Sequence, residues 1–331
     1  MDANMALMKQ LSKLGEFGLI ARLKELVGEA PEGEVWVGDD TAIIRAPAGT
    51  ILFTTDIMVE GVHFDLATSS PQDLGYKSVA VNASDIAAMG GTPRRAVCAL
   101  GIRDGLGLDW VESLYAGMRQ CADRFGFAVV GGDISKSDQV VVSVAMLGNP
   151  AGRLTIERKG ARVGDVICVT GTLGASAAGL GALKAGLGGR EDLIAAHLRP
   201  VPRVQETQVL RRFLPTSMID VSDGLASDLS HICEASMVGA RLVADDIPLA
   251  DCAGLGLAES PLDLALQGGE DYELLFTIPA DRAEPAIAAV GEETATLVSR
   301  IGRIMEPSAG MTIIIDGQER ALVAHGWDHL A

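Results

Sequence analysis

The sequence predicts a two-domain chain of α+β or α/β class, and three observations predict it. Its 331 residues exceed what one comfortable hydrophobic core spans. Short apolar runs of strand length alternate with longer segments of helical spacing, in an order too mixed for a regular doubly wound sheet. Midway, Gly148-Asn149-Pro150-Ala151-Gly152 concentrates turn formers directly after an apolar run. The boundary is placed there, giving units over residues 1–148 and 149–331.

In chain order, Leu19, Leu23, Leu26 and Val27 recur at helical spacing and predict an opening helix. Strands are expected at Val35–Val37, Thr50–Thr55, Ala96–Ile102, Ala128–Val130 and Val140–Leu147. Helices are expected over Asp73–Met89 and Asp109–Phe125, the second capped by Asp109 and stopped before Gly126. In the second unit, Val166–Thr170 reads as a strand feeding a Gly/Ala-rich helix at Ala175–Ala185. A helix at Arg203–Phe213, a strand at Ser217–Asp220 and a helix at Leu225–Ala235 follow. Strands at Tyr272–Ile278 and Met311–Ile315 complete the pattern.

Composition narrows the function. Forty-four acidic against 27 basic residues give a formal charge of −17, which disfavours nucleic acid and anionic lipid as partners. The same surface repels ATP unless cations stand between carboxylates and phosphates. Cys98, Cys121, Cys168, Cys233 and Cys252 are scattered singly with no CxxC, which reads as reduced thiols in a reducing compartment. Met1–Gln10 lacks the signature of a secretory leader, and no run of about 18 apolar residues occurs. A cytoplasmic protein is expected.

The strongest chemical signal is where the aspartates fall. Asp39 and Asp40 follow Val35–Val37, Asp56 follows Thr54-Thr55, Asp133 follows Gly131-Gly132, and Asp220 follows Met218-Ile219 with Asp223 close behind. Asp85 stands alone within the apolar stretch Ala83–Ala88, where an unpartnered charge is costly. Any one of these is as well explained by a turn or cap. As a set, converging carboxylates stay ionised only beside divalent cations, and oxygen-only ligands select magnesium or calcium over zinc. Gly131-Gly132-Asp133 would let backbone N–H groups approach a phosphate, with Gly38 and Gly90-Gly91 as weaker candidates. There is no GxxxxGK[ST] and no kinase HRD…DFG set, so ATP use would run through metals and backbone. His63, Arg158 and Glu270 could each meet an anionic or cationic ligand, or simply be solvated; Trp327 could stack a ring or anchor packing.

With these residues in hand, the chain resembles the thiamine-monophosphate kinase family, within the ATP-dependent group that includes aminoimidazole ribonucleotide synthetase. The likeness runs through Gly15-Glu16-Phe17, Gly38-Asp39-Asp40, Thr54-Thr55-Asp56, Gly61-Val62-His63-Phe64, Val81–Gly90 and Gly131-Gly132-Asp133. It continues through Val169-Thr170-Gly171, Asp220–Leu225, Gly268–Leu274 and Gly326-Trp327-Asp328-His329. One departure is the ending His329-Leu330-Ala331, where the family usually carries a terminal aromatic. The resemblance implies the two-domain aminoimidazole ribonucleotide synthetase-like fold, an N-terminal α/β domain followed by a C-terminal α+β domain, and ATP-dependent phosphorylation of thiamine monophosphate to thiamine diphosphate on a homodimer paired through its N-terminal sheets. It implies several Mg2+ ions on Asp40, Thr54, Thr55, Asp56, Asp85, Asp133, Asp220 and Asp223. It implies ATP contacts from Tyr115, Gly132, Asp133, Arg158 and Ser222, and substrate contacts from His63, Glu270 and Trp327. Selenophosphate synthetase and the hydrogenase-maturation dehydratase fit less well, since each needs a working cysteine absent at the expected places. Aminoimidazole ribonucleotide synthetase remains an alternative, as does a non-enzymatic divalent-ion binding protein.

Overall fold

The computed structural model describes residues 32–33, 42–46, 49–150 and 155–324. The expected opening helix, the strand Val35–Val37, Gly38, Asp39, Asp40 and Trp327 lie outside the described residues. Two mixed sheets form. The first has the order β1-β2-β5-β3-β4, with β1 Ala42–Ala46, β2 Gly49–Val59, β3 Gly91–Ile102, β4 Ala128–Lys136 and β5 Val141–Pro150.

Alternation along β2 decides which face is covered. Leu52, Thr54 and Met58 are buried, while Phe53, Thr55 and Ile57 are exposed. Two helices close the buried face: α1 (Pro71–Ala88) and α2 (Leu108–Phe125). Ser70 caps α1, accepting from Asp73 N at 3.1 Å, and Pro71 follows it in the first turn. Leu52, Leu74, Ile86, Leu114, Met118, Val144 and Met146 meet in the core between these layers.

The two helices differ slightly from expectation. The second starts at Leu108 with Gly107 as its cap, so Asp109 is a first-turn acid rather than the N-cap. Gly126 stops it in the left-handed conformation, φ 78°. β2 and β4 run past their expected ends, because the long β5 and β3 keep offering ladder partners: Val59 pairs with Val141, and Ile102 with Lys136. A complete ladder satisfies the backbone whatever aspartate prefers. Asp56 and Asp133 therefore sit inside strands, and among the described residues only Asp220 of the expected set ends one.

The second sheet has the order β12-β11-β8-β10-β6-β9-β7. Its expected strands are β6 Val166–Thr170, β7 Ser217–Asp220, β9 Leu274–Ile278 and β11 Met311–Ile315. Three more appear in the structure: β8 Gly239–Val243, β10 Val298–Met305 and β12 Gln318–Ala321. Around it pack α3 (Ala175–Ala185), α4 (Glu191–Leu198), α5 (Val204–Leu210), α6 (Leu225–Ser236), α7 (Pro261–Gln267) and α8 (Ala280–Thr294).

Helix α1 is buried nearly all round because it serves both sheets. Ala88 joins the core formed by Met218, Leu274 and Phe276 of the second unit. Thr207 Oγ1 donates to Ala87 O at 2.7 Å, and Gln208 Nε2 to Gly91 O at 3.1 Å. The end of this helix thus lies directly between the sheets, and the chemistry gathers there.

Candidate active site between the two sheets

Three of the expected aspartates converge. Asp56 projects from the helix-covered face of β2 and is hydrogen-bonded to Asp85 on α1. Thr54 Oγ1, two residues along the same face, donates to Asp85 Oδ2 at 2.6 Å. One residue before Asp85, Ser84 Oγ donates to Asp220 Oδ2 at 2.6 Å, which ties the helix to the end of β7. Asp56, Asp85, Asp220 and Glu270 all act electrostatically on one half-buried phenol, that of Tyr272. The group therefore draws on β2, α1, β7 and the loop before β9.

The acids are not at rest without a counter-charge. Burial pushes the Asp56 carboxyl up to about 6, against the hydrogen bond to Asp85, which lowers it. Its Oδ2 atom is buried and accepts no hydrogen bond. A buried, orphaned carboxylate oxygen beside two more acids is a donor set that fits a hard divalent cation.

Not every expected ligand joins them. In the ladder Asp56 shares a row with Val144, Cys98 and Gly132, whereas Asp133 shares the adjacent row with Ala99, Ser143 and Ile57. Adjacent rows face opposite sides of a sheet. Asp133 is accordingly exposed on the uncovered face, and so is Thr55, whose hydroxyl donates to Val144 O at 2.9 Å. The sequence expectation grouped both with Asp56, and the pleat separates them.

Near Asp220 the loop after β7 builds a second cluster. Ligand atoms of Asp223, Asp228 and His231 lie within 4.8 Å of one another. Asp228 is buried, accepts from Asp223 N at 3.1 Å, and is pushed well up by burial and by Asp223 and Asp220. Arg158 is half-buried and supplies nearby positive charge to Asp228 and His231. Neither Asp228 nor His231 was singled out from sequence, although their i, i+3 spacing on one helix was a usable signal.

The substrate candidates form a third group. Glu270 is held by Lys77 Nζ at 2.8 Å and lies 3.4 Å from His197 Nδ1, which is also 3.1 Å from Ser176 Oγ. An Nδ1–H tautomer of His197 can serve both oxygens. Burial acts to raise the Glu270 carboxyl, but Lys77 and His197 prevail and hold it below its ordinary value. His63 also contributes to that balance, and its Nδ1 accepts from Val59 N at 3.0 Å, so it is a fixed, half-buried group. Ser222 is half-buried and accepts from Glu270 N at 2.7 Å. Lys77 and His197 were missed from sequence; Lys77, like Asp85, is a lone charge in an apolar helix.

Besides Asp133, two expected ATP contacts sit in the first unit. Tyr115 is half-buried against the first core and hydrogen-bonded to the Cys98 thiol, which burial pushes up to about 11. Gly132 lies opposite Cys98, where an added Cβ would overlap the Cys98 carbonyl. That close approach explains the glycine through packing of β4 on β3.

Residues 38–149 match the AIR synthase related protein, N-terminal domain, and residues 162–314 match its C-terminal domain. The chain is 36% identical to the thiamine-monophosphate kinase of Aquifex aeolicus, over 97% of this chain and 99% of that one. The chain belongs to the thiamine-monophosphate kinase family. It is 39% identical to the thiamine-monophosphate kinase of Escherichia coli K12, over 96% of this chain and 98% of that one. Among solved structures, AaThiL complexed with AMPPCP and TMP superposes with a TM-score of 0.83 at 34% identity, covering 96% of this chain and 97% of that one. The hydrogenase maturation protein HypE shares the fold, with a TM-score of 0.67 at 20% identity, covering 88% of this chain and 89% of that one.

Proposed function

We propose that the chain transfers the γ-phosphoryl group of ATP to the phosphate of thiamine monophosphate, giving thiamine diphosphate and ADP. The observation that carries this is the meeting of Asp56, Asp85 and Asp220 near Tyr272, with Glu270 alongside, at the junction of the two sheets. The family relationship supports the substrate pair, since a relative at 34% identity was captured with AMPPCP and TMP.

The acceptor is already a phosphate anion, so no general base is needed to create a nucleophile. The task is to bring two polyanions in line, which is a matter of positioning and electrostatics. Asp56, Asp85 and Asp220, with Thr54 behind them, are the residues that would hold Mg2+; Asp40, outside the described residues, is assigned to the same role from the sequence. Bound there, Mg2+ would offset the charge of both phosphates and of the acids themselves. Asp223 with Arg158 and Ser222 forms the flank assigned to ATP. His63 and the Lys77–Glu270 pair form the flank assigned to thiamine monophosphate; Trp327, outside the described residues, is assigned to the same ligand from the sequence. Because Lys77 compensates Glu270, that carboxylate offers the thiazolium a fixed position more than net charge.

Two further readings complete the proposal. Phe53, Ile57, Val97 and Leu147 lie exposed on one face of the first sheet, and a homodimer through that face would cover them. Light scattering should report a dimer that Ile57→Lys converts to monomer. A cytoplasmic location is supported by five unpaired cysteines, four of them buried. Among the described residues no helix is long and apolar enough to cross a membrane. The substrate is tested by a coupled ADP-release assay across thiamine, thiamine monophosphate and the aminoimidazole precursor. Selective turnover of thiamine monophosphate is expected, and preference for the aminoimidazole precursor would refute the reading.

A further inference from the structure

Consecutive residues of helix α1 engage both units of the chain. Ser84 Oγ donates to Asp220 Oδ2 at 2.6 Å, at the end of β7. The next residue, Asp85, accepts at Oδ2 from Thr54 Oγ1 of β2, also at 2.6 Å. Successive side chains on a helix point about 100° apart, so one turn can address β7 on one side and β2 on the other. Ser84 is 0% exposed and Asp220 2%, so bulk water does not compete for their contact. The hydroxyl therefore fixes where the Asp220 carboxylate stands relative to Asp85.

The chemistry of the donor matters as much as its place. Two other acids of this junction are held by cations: Glu270 by Lys77 Nζ at 2.8 Å, and Glu273 by Arg203 Nε at 2.6 Å. A cation offsets the charge of the acid it holds. Ser84 and Thr54 instead present hydroxyls, which orient a carboxylate and leave its negative charge in place. A fixed oxygen with its charge retained is what a hard divalent cation takes as a ligand, and the groups that orient a ligand set its affinity for the metal. We propose that Ser84 is a positioning residue for magnesium, its hydroxyl holding the Asp220 carboxylate in register with Asp85 for the ion. The inference rests on the reading that Asp56, Asp85 and Asp220 hold Mg2+.

The test is Ser84→Ala, which removes one oxygen and puts the strongest helix former at the position. Mn2+, a carboxylate-seeking stand-in for Mg2+, is titrated into the full chain with and without AMPPCP, and free Mn2+ is read by electron paramagnetic resonance. Ser84→Ala should weaken Mn2+ binding by about tenfold. In the ADP-release assay its KM for Mg2+ should rise more than its kcat falls. Asp220→Asn should weaken Mn2+ binding at least as much. Because Ser84 acts through Asp220, adding Ser84→Ala to Asp220→Asn should cost no more than about twofold further. Unchanged Mn2+ affinity in Ser84→Ala overturns the assignment, whatever happens to the thermal midpoint. A double variant weakened by the full product of the two single factors also overturns it, since the hydroxyl then acts independently of Asp220. Should Asp220→Asn bind Mn2+ as the parent chain does, or the parent bind none, it is the underlying metal reading that fails, and this inference falls with it.

Discussion

Asp56 is the residue on which structure and chemistry bear most directly. A carboxylate buried with an orphaned Oδ2 beside Asp85 contributes nothing to folding that an amide could not supply. Asp56→Asn is therefore expected to leave the thermal midpoint without magnesium unchanged or raised. Turnover should fall by about a thousandfold or more. Near-normal rates at saturating magnesium would remove Asp56 from the site. Lys77 makes the opposite case, because its charge is needed by the fold. It is 4% exposed and its Nζ is 2.8 Å from Glu270 Oε1 across the two units. Lys77→Met leaves half-buried Glu270 without its cation, at a cost of about 1–3 kcal/mol in chemical denaturation. Adding Glu270→Gln should recover much of that loss. A double variant as unstable as the sum of the single ones would show that the pair is not coupled.

At the level of elements, packing of α1 on α2 depends on two glycines. A Cβ at Gly75 would overlap the Leu114 carbonyl, and one at Gly117 would overlap the Gln72 carbonyl. The partner atoms are backbone and cannot swing aside, so Gly117→Ala should lower stability by about 2–3 kcal/mol despite alanine's better helix propensity. A denaturant midpoint at or above that of the parent chain would contradict this close approach. Elements with a clean local signature were legible in the sequence. Helix α2 announces itself by apolar spacing and the stop at Gly126, and β6, with all five residues buried, by its unbroken apolar run. Elements whose character comes from the rest of the fold were not. β10 carries Arg300, Gly302 and Arg303, a pattern without strand alternation, and a bulge between Arg300 and Gly302 lets it pair with β6. β12 is an exposed edge strand of polar residues, and α8 contains Pro285. The candidate site divides in the same way. Asp85 and Asp220 could be picked out because each is a lone acid after or within apolar residues. Which face Thr55 and Asp133 take depends on ladder register and on a bulge in β3, both of which are long-range properties.

Over the whole molecule, the two units are joined by polar groups removed from water, and this makes stability depend on pH in a definable direction. His197, 5% exposed beside Ser176 and Glu270, is brought down to about 4 by burial first and Lys77 second, against the opposing pull of Glu270. His231, half-buried near Arg158, is brought down to about 4 by burial and then by that arginine. An ordinary histidine titrates near 6.5. As pH falls below that value the unfolded chain takes up protons that the folded chain refuses, so stability declines. The decline continues to about pH 4, below which both states are protonated and these groups add nothing further. Above pH 6.5 their contribution is fully present. For His197 the shift corresponds to a loss of up to roughly 3 kcal/mol across the window, and for the less buried His231 to less. His197→Gln should flatten the acid limb of the stability curve between pH 6.5 and 4, while leaving the plateau near neutrality little changed. It should also reduce proton uptake on unfolding near pH 5 by close to one. Carboxylates titrate in the same interval in both proteins, so the difference between the two curves isolates the imidazole. Superimposable acid limbs would mean that His197 is protonated inside the fold. In that case Glu270, not Lys77, would set its charge, and the ion pair linking the two sheets would be a three-membered cluster.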